Sequence, residues 1–340
     1  MESLYGRNRE MNNKKVILKK IEEVVDSSRD KTLGELQAIK HIGIDEENST
    51  VVLLIEVGKK MNEVTSVITR AIAKVVKIEY GYQSLVIDYE QARPENFAKK
   101  AKIIAIASGK GGVGKSSVTA NLAYAFKALG KKVGIIDADI YGANMPKILE
   151  IEKLELNGTE SGKVYPYQID GIEMVSTEFF VEENKALMWR GPMLGKVLKI
   201  FFEDTIWSQD LDFLLIDLPP GTGDVMMDVN NFVPDAKIVL VTTPHPSASH
   251  IAIKAGFATK DLKQDVIGVI ENMSFYEVGE EKHHIFGEGG GALVADKLLV
   301  PLLSQIPIGQ PTGAKKSIYQ ETEYIGIMYL NLARKLMRLV

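Results

Sequence analysis

Hydrophobic residues follow two different patterns along this chain. In the first part they recur at helical spacing in residues 16–25 and 61–76, and they form strand-like runs at residues 50–57 and 82–89. Helices and strands in this order indicate a small α+β domain of about 80 residues. We place this domain at residues 1–92.

A second pattern begins after a polar linker that we place at residues 93–102. Short apolar runs recur there without alternation, and segments of helical spacing separate several of them. Continuous apolar strands that alternate with helices are typical of a parallel sheet covered by helices on both faces. We therefore predict an α/β domain over residues 103–340. Its predicted strands are residues 103–107, 132–136, 213–216, 237–241 and 266–270.

A glycine-rich segment follows the first of these strands and precedes a predicted helix at residues 116–129. The segment fits the pattern G-x-x-x-x-G-K-[ST]. Its glycines let backbone N–H groups point at phosphate oxygens, and the positive end of the following helix faces the same place. The sequence therefore predicts a nucleoside triphosphate site. The predicted nucleotide-binding residues are Gly109, Lys110, Gly111, Gly112, Val113, Gly114, Lys115, Ser116 and Ser117.

Acidic residues follow two further strands, at the edge where α/β sheets bind ligands. Asp137 and Asp139 come directly after the second strand, and Asp217 ends the third. We expect Lys115 to contact the terminal phosphates, while the Ser116 hydroxyl and Asp217 hold Mg²⁺. Asp137 and Asp139 are either turn residues or part of the same site.

A second lysine inside the loop, Lys110, gives the pattern K-G-G-x-G-K-[ST]. In this feature the chain resembles the deviant P-loop ATPases: MinD and ParA proteins, the nitrogenase iron protein and the Mrp/ApbC cluster-carrier ATPases. The resemblance implies that ATP is bound with Mg²⁺ by a homodimer in which Lys110 reaches phosphates across the interface. Lys110, Lys115 and Asp139 are then the expected catalytic residues. Asp139 would orient the attacking water, Asp137 would support Mg²⁺, and Asn272 after the fifth strand would hydrogen-bond the adenine edge.

Three further segments look like the Mrp/ApbC family in particular. They are residues 188–193 (MWRGPM), 217–224 (DLPPGTGD) and 285–290 (IFGEGG). The resemblance runs from about residue 102 to the C-terminus, and the N-terminal unit is similar to the metal–sulfur cluster assembly domain often fused ahead of this ATPase. It implies an ATP-hydrolysing carrier or scaffold that assembles iron–sulfur clusters or transfers them to apoprotein clients.

Cysteine usage changes this picture, because the 340 residues contain none. In the family a C-x-x-C pair holds the cluster between two subunits. The corresponding interval here, residues 275–284, contains His283 and His284 but no thiol, whereas iron–sulfur clusters are held by thiolates. No cluster ligands are identifiable. The alternative function is a cluster-free switch that dimerises with ATP and recruits a protein, membrane or DNA partner, as MinD and ParA proteins do.

Charge and hydropathy limit the other partners. The net charge of −4 gives no basic field for nucleic acid, and no window reaches the ~20 apolar residues of a membrane span. The N-terminal residues lack the apolar run of a secretory signal. The basic amphipathic segment 327–340 is either a membrane-binding helix or the last core helix, and we favour the core helix. We therefore expect a cytoplasmic protein without nucleic acid or membrane partners, and the family resemblance implies metalloprotein clients.

Overall fold

The structure, a computed structural model, describes residues 14–46, 48–58, 62–92, 100–140, 142–152, 156–160, 162–180, 191–221 and 223–340. The chain divides into two compact units, Met1–Pro94 and Glu95–Val340. Residues 93–99 of the predicted linker and residues 188–190 of the MWRGPM segment lie outside the described residues. No helix in the described part of the chain is long and apolar enough to cross a membrane.

The N-terminal unit packs helices against a three-stranded sheet. Its elements are α1 (14–22), β1 (Val25–Asp26), β2 (Lys31–Thr32), β3 (Ile39–Asp45), β4 (Thr50–Val57), α2 (Asn62–Ala73), a π-helical segment (Lys74–Glu79) and β5 (Ser84–Gln91). The strand order is β3-β4-β5, with β4 antiparallel to β3 and parallel to β5. Alternate residues of β4 are buried with Ile68 and Ile72 of α2, which gives the unit its own core.

Two predictions for this unit need correction. The helix predicted at residues 16–25 ends at residue 22, because Val25 pairs with Thr32 in a short hairpin. Strand β3 was not predicted. His41 and Gly43 interrupt its apolar pattern, although the strand pairs with β4 along its length.

The second unit is built around one large sheet. The strands of this unit are β6 (Lys102–Ser108), β7 (Val133–Asp137), β8 (Tyr167–Ile169), β9 (Ile172–Ser176), β10 (Phe213–Asp217), β11 (Lys237–Thr242), β12 (Asp265–Glu271), β13 (Tyr276–Val278), β14 (Glu281–His283) and β15 (Leu302–Gln305). Its helices are α3 (Lys115–Ala128), α4 (Met145–Ile148), α5 (Gly191–Lys199), α6 (Asp224–Phe232), α7 (Pro246–Asp261), α8 (Gly290–Leu298) and α9 (Tyr324–Leu339), with a 3₁₀ turn at Thr177–Phe180 and a π-helical turn at Ile200–Asp204.

Eight strands form this sheet in the order β15-β12-β11-β6-β10-β7-β9-β8. All neighbouring pairs are parallel except β8 and β9. The two sheet faces carry separate cores: Ile104 and Ile106 of β6 belong to one, whereas Ile103 and Ala105 belong to the other. The predicted α/β fold with a parallel sheet covered on both faces is therefore confirmed, and all five predicted strands lie in the sheet.

The last helix, α9, is part of the core rather than a free amphipathic helix. Its buried residues include Tyr329, Leu332 and Leu336, and they join the core cluster on the α3 side of the sheet. The preference for a core-packing helix is thus confirmed. Strands β8, β9 and β15 were not predicted, and they extend the sheet at its two edges.

Candidate nucleotide-binding site

A cavity of about 760 Å³ opens at the carboxyl edge of the sheet. Its wall combines the loop after β6, the segment after β7, the turn after β10 and Met273 after β12. This is the edge where α/β folds bind ligands. The residues of the predicted phosphate loop that line it are Lys110, Gly111, Gly112, Val113, Gly114, Lys115, Ser116 and Ser117.

The loop's glycines allow its backbone to curve around a ligand. Gly112 and Gly114 have φ values of +82° and +80°, in the left-handed region where a side chain would be strained. Gly109 lies behind the loop, because a Cβ there would come 2.5 Å from the carbonyl carbon of Ile251 in α7. Helix α3 begins at Lys115, so the unpaired amides of its first turn meet the cavity.

Lys115 is buried between two carboxylates. Its Nζ lies 2.8 Å from Asp217 Oδ1 and 3.4 Å from Asp139 Oδ2. The 2.8 Å contact with Asp217 occupies one side of the buried ammonium. At most two of its three N–H donors are therefore available to a ligand that brings oxygen acceptors.

Asp217 gathers the loop and helix α3 around one carboxylate. Its Oδ2 accepts a 2.5 Å hydrogen bond from Ser116 Oγ, and its Oδ1 accepts a 3.0 Å hydrogen bond from Thr119 Oγ1. Burial raises the pKa of Asp217, and Lys115 together with these hydroxyls opposes the rise. Thr119 was not among the predicted site residues. The sequence feature that could have identified Thr119 is its position one helical turn beyond Lys115, on the same face of α3.

Asp137 is fully buried next to Asp217. It accepts hydrogen bonds from Ser176 Oγ (2.9 Å), from Met145 N (3.3 Å) and from Asp139 N (3.3 Å). Burial raises the pKa of Asp137 to about 7, and the charge of Asp217 adds to the rise. Ser176, which ends the unpredicted strand β9, was not identified from the sequence.

Lys110 stands apart from this buried cluster. Its side chain is exposed at the cavity mouth, and its Nζ lies 3.3 Å from Ser247 Oγ in the first turn of α7. The structure therefore brings Lys115, Asp139 and Asp217 together, and it leaves the ammonium of Lys110 at the surface.

Asn272 lies under the loop rather than in the open cavity. Its side-chain amide donates a 2.9 Å hydrogen bond to the Val113 carbonyl, and its backbone N–H bonds to Thr242. A Cβ at Gly114 would come 2.3 Å from the Asn272 Nδ2 atom. Asn272 thus supports the phosphate loop from below, while the neighbouring Met273 lines the cavity.

The residues at this site fit a triphosphate and a divalent cation. A desolvated ammonium with unused donors and a turn of free helix amides suit phosphate oxygens. Ser116, Asp137 and Asp217 supply only oxygen ligands, which are the donors that Mg²⁺ prefers. Two buried carboxylates with raised pKa values also favour the arrival of positive charge.

The segment that we expect from the sequence to correspond to the family's cluster site has a different character. The antiparallel hairpin of β13 and β14 carries His283, which is 3.8 Å from Glu281, while the following His284 is 3.3 Å from Glu288. Among the described residues no group of three or more His, Asp or Glu side chains is placed to hold a metal ion.

The fold, the glycine-rich loop and the strand-ending acids define a P-loop nucleoside triphosphatase. A family model described as "ParA: NUBPL iron-transfer P-loop NTPase" matches residues 99–326. The chain belongs to this family, which confirms the resemblance identified from the sequence.

Individual relatives agree with this assignment. The chain is 38% identical to the iron-sulfur cluster carrier protein of Bacillus subtilis over 94% of this chain and 96% of that protein. A nucleotide-binding protein from Archaeoglobus fulgidus in complex with ADP has a TM-score of 0.51 and 30% identity, covering 69% of this chain and 88% of that chain. The septum site-determining protein MinD from Pyrococcus horikoshii with Mg-ADP has a TM-score of 0.51 and 26% identity, covering 70% and 97%.

Proposed function

We propose that this protein is an ATP-hydrolysing homodimeric carrier or scaffold that serves the assembly or transfer of iron–sulfur clusters. The observation that carries the proposal is Lys115, a buried cation with unused donors at the base of a glycine-lined cavity. Family membership and the carrier function named for the Bacillus subtilis relative supply the biological role.

Hydrolysis would depend on positioning and on charge. Phosphoryl transfer needs a stabilised triphosphate and an oriented nucleophile more than it needs covalent chemistry. Lys115 would hold the terminal phosphates, and Asp139, which lines the cavity, would accept a hydrogen bond from an attacking water. Asp139 is only 9% exposed, so few solvent molecules compete for its oxygens.

Ser116, Asp137 and Asp217 are the residues that would hold Mg²⁺. When bound, the ion supplies positive charge to the phosphate oxygens. The chain's own part is to keep these oxygens in place. Ser176 fixes Asp137, Thr119 fixes Asp217, and α3 carries Ser116 next to them.

A dimer would supply the second lysine. Lys110 is exposed at the cavity mouth and its ammonium lies 3.3 Å from a serine hydroxyl, so a modest rotation would free it for a neighbouring subunit's phosphates. Asn272 would act mainly by supporting the loop. Its adenine contact stays a prediction, which a structure with bound nucleotide would test.

A deletion strain of the host organism tests this function. We expect iron–sulfur dehydratases to lose activity at unchanged protein level, and we expect the wild-type chain, but not a Lys115→Ala variant, to restore it. The purified protein should also dimerise when Mg-ATP is added, as measured by light scattering. Unaffected iron–sulfur enzymes, in cells where the protein is produced and hydrolyses ATP, would contradict the carrier role.

The absence of cysteine favours a second candidate, a cluster-free dimerisation switch. Such a switch would use the same cavity to recruit a protein, a membrane or DNA. Co-sedimentation with anionic liposomes and with DNA, each with ATP and with ADP, separates the two functions. ATP-dependent sedimentation with either one would favour the switch.

A further inference from the structure

An exposed apolar surface lies at the carboxyl edge of the sheet, close to the nucleotide cavity. We call residues 276–289, which comprise β13, β14 and the segment after them, the edge hairpin. Four of its side chains are both apolar and exposed: Tyr276 (45%), Val278 (54%), Ile285 (60%) and Phe286 (38%). Exposed apolar side chains gathered on one short segment mark an interaction site more often than singly scattered ones do.

The hairpin presents this surface through its own pairing. Tyr276 pairs with His283, and Val278 pairs with Glu281. The side chains of these two pairs therefore project from the same face of the hairpin. On the opposite face Lys282 Nζ lies 4.2 Å from the ring centre of the buried Phe275, and Lys282 is itself exposed. The face with Tyr276 and Val278 is the one that offers apolar side chains to a partner.

One buried carboxylate fixes both ends of the edge hairpin. Glu271 accepts a 2.5 Å hydrogen bond from Ser274 Oγ on one side and a 2.5 Å hydrogen bond from Gly291 N on the other. The residues between Glu271 and Ser274 reach the nucleotide site, because Asn272 bonds to the phosphate loop and Met273 lines the cavity. The hairpin is thus tied at both ends to one buried side chain, beside the nucleotide cavity.

The chemistry of the chain indicates what docks there. An iron–sulfur cluster needs thiolate ligands, and these 340 residues contain no cysteine. The edge hairpin holds four glutamates and one lysine, which gives it a net charge of −3 with both histidines neutral. A second copy that met this hairpin with its own hairpin would bring the same negative charge and again no thiol, so charge complementarity favours a different protein at this surface.

We infer that the edge hairpin docks a second protein, which supplies the cysteine thiolates around the cluster. This inference rests on the proposed carrier function. This partner presents apolar side chains to the exposed face of the hairpin and basic side chains to its glutamates. This chain then provides the nucleotide-driven platform, and the cluster stays on the partner's ligands.

Crosslinking in the native host tests the partner's identity. A photoreactive amino acid replaces Ile285 in the full-length chain, and mass spectrometry identifies the crosslinked products. We expect a protein whose cysteines ligate an iron–sulfur cluster, and we expect it to be lost when the probe replaces Phe257, an exposed residue of α7. Products with lipid, with a second copy only or with proteins lacking cluster-binding cysteines overturn the inference, and so does the absence of any product.

Affinity for the identified partner tests the surface. The triple variant Val278→Ser, Ile285→Ser and Phe286→Ser should bind the partner at least about tenfold more weakly, as expected when anchoring apolar side chains are removed. A matched triple variant, Phe257→Ser, Tyr324→Ser and Ile327→Ser, removes three exposed apolar side chains elsewhere in the unit and should bind normally. Unchanged nucleotide affinity verifies that both variants fold, and equal partner affinities would refute the assignment.

Reconstitution with iron and sulfide separates this inference from the proposed function. We expect a cluster on the mixture with the partner and none on this chain alone, whereas stoichiometric iron and sulfide on this chain alone would overturn the inference. In the deletion strain, full rescue by the hairpin triple variant would contradict the docking surface only. A deletion strain whose iron–sulfur enzymes keep their activity would contradict the carrier function.

Discussion

Asp137 and Asp217 occupy paired positions at the ends of the adjacent parallel strands β7 and β10. Both carboxylates are fully buried, and each has its own hydroxyl donor: Ser176 for Asp137 and Thr119 for Asp217. Two carboxylates held side by side away from water are unfavourable unless a cation joins them. Lys115 supplies one such charge, and the following predictions concern how the site uses this arrangement.

Replacement of Lys115 by alanine should strongly weaken nucleotide binding. The variant loses a desolvated cation with unused donors, and we expect Mg-ATP to bind at least about thirtyfold more weakly, the equivalent of roughly 2 kcal/mol. Isothermal titration calorimetry measures the change. Lys127→Ala, at the exposed far end of the same helix, is the control and should bind as the wild type does. If the Lys115 variant bound Mg-ATP as tightly as the wild type does, the phosphates would have to bind away from Lys115.

Replacement of Lys110 by alanine should separate binding from hydrolysis. Because its ammonium is exposed and has no role in the buried cluster, the affinity for Mg-ATP should stay within about twofold while hydrolysis falls at least about tenfold. Steady-state phosphate release measures the loss. Full turnover in this variant would refute the proposed role of Lys110.

A mixing experiment shows whether Lys110 acts across a dimer. In a heterodimer of Lys110→Ala and Asp139→Asn subunits, one of the two sites has both an intact Asp139 and a lysine supplied by the partner. Random mixing of two inactive variants should then restore hydrolysis to about a quarter of the wild-type rate, as expected for a symmetric dimer. A mixture as inactive as its components would indicate that the lysine serves its own subunit.

Replacement of Ser176 by alanine should weaken the use of Mg²⁺. Its hydroxyl donates a 2.9 Å hydrogen bond to Asp137, and hydrogen bonds to charged groups contribute roughly 1.5–3 kcal/mol. We expect the Mg²⁺ concentration for half-maximal ATP hydrolysis to rise about tenfold. Thr177→Val is the matched control, because the buried Thr177 hydroxyl has no hydrogen-bond partner among the described residues. An equal effect of both variants would point to a general disturbance of β9.

The raised pKa of Asp137 predicts a pH-dependent stability of the protein without metal or nucleotide. The pKa rises from 3.8 to about 7 on folding, so between these values the folded state keeps a proton that the unfolded state has lost. The free energy of unfolding therefore falls as pH rises through this window.

The Asp137→Asn variant removes this ionisation and should flatten the dependence. We expect it to raise the melting temperature more at pH 8 than at pH 5, by at least ~3 °C, a difference that about 1 kcal/mol produces in a domain of this size. Thermal unfolding is measured with EDTA present. Asp265→Asn, at an exposed carboxylate, should show no such difference between the two pH values. A wild-type melting temperature that rises between pH 5 and pH 8 would contradict the shift.

Glu271→Gln should loosen the edge hairpin without a change of side-chain size. The new amide group would face either the Gly291 N–H or the donors of Ser274 and Gln305, which leaves a buried donor unpaired and costs roughly 1–3 kcal/mol. Hydrogen exchange of residues 275–291 should become faster. Glu288→Gln, on the exposed part of the same segment, should leave the exchange unchanged, and equal protection in both variants would show that Glu271 does not anchor the hairpin.

The phosphate loop and the strand-ending acids could be predicted because each is local in the sequence. The loop needs only the order of strand, glycines, lysine and helix, and Asp217 needs only the apolar run before it. The hydroxyls that hold the acids could not be predicted in this way. Ser176 lies 39 residues from Asp137, and only the placement of β9 beside β7 brings the two together.

Strand β9 itself could not be recognised because a charged residue stands at its second position. Glu173 breaks the apolar pattern, yet it is buried because its carboxylate accepts hydrogen bonds from the backbone and side chain of Ser208. The hydrogen-bond partner of the Asn272 side chain could not be predicted from the sequence either. Its amide nitrogen donates to the carbonyl of Val113, 159 residues away, and this contact could not be read from its position after β12.

The contacts of Lys115 give the cavity its own counter-ions. Since Asp139 and Asp217 already stand beside this lysine, a bare triphosphate entering the cavity meets acids as well as a cation and is partly repelled. A triphosphate that arrives with a divalent ion brings the acids a charge of the opposite sign. We expect the protein to distinguish the metal-loaded nucleotide from the free one at entry, before any bond is broken.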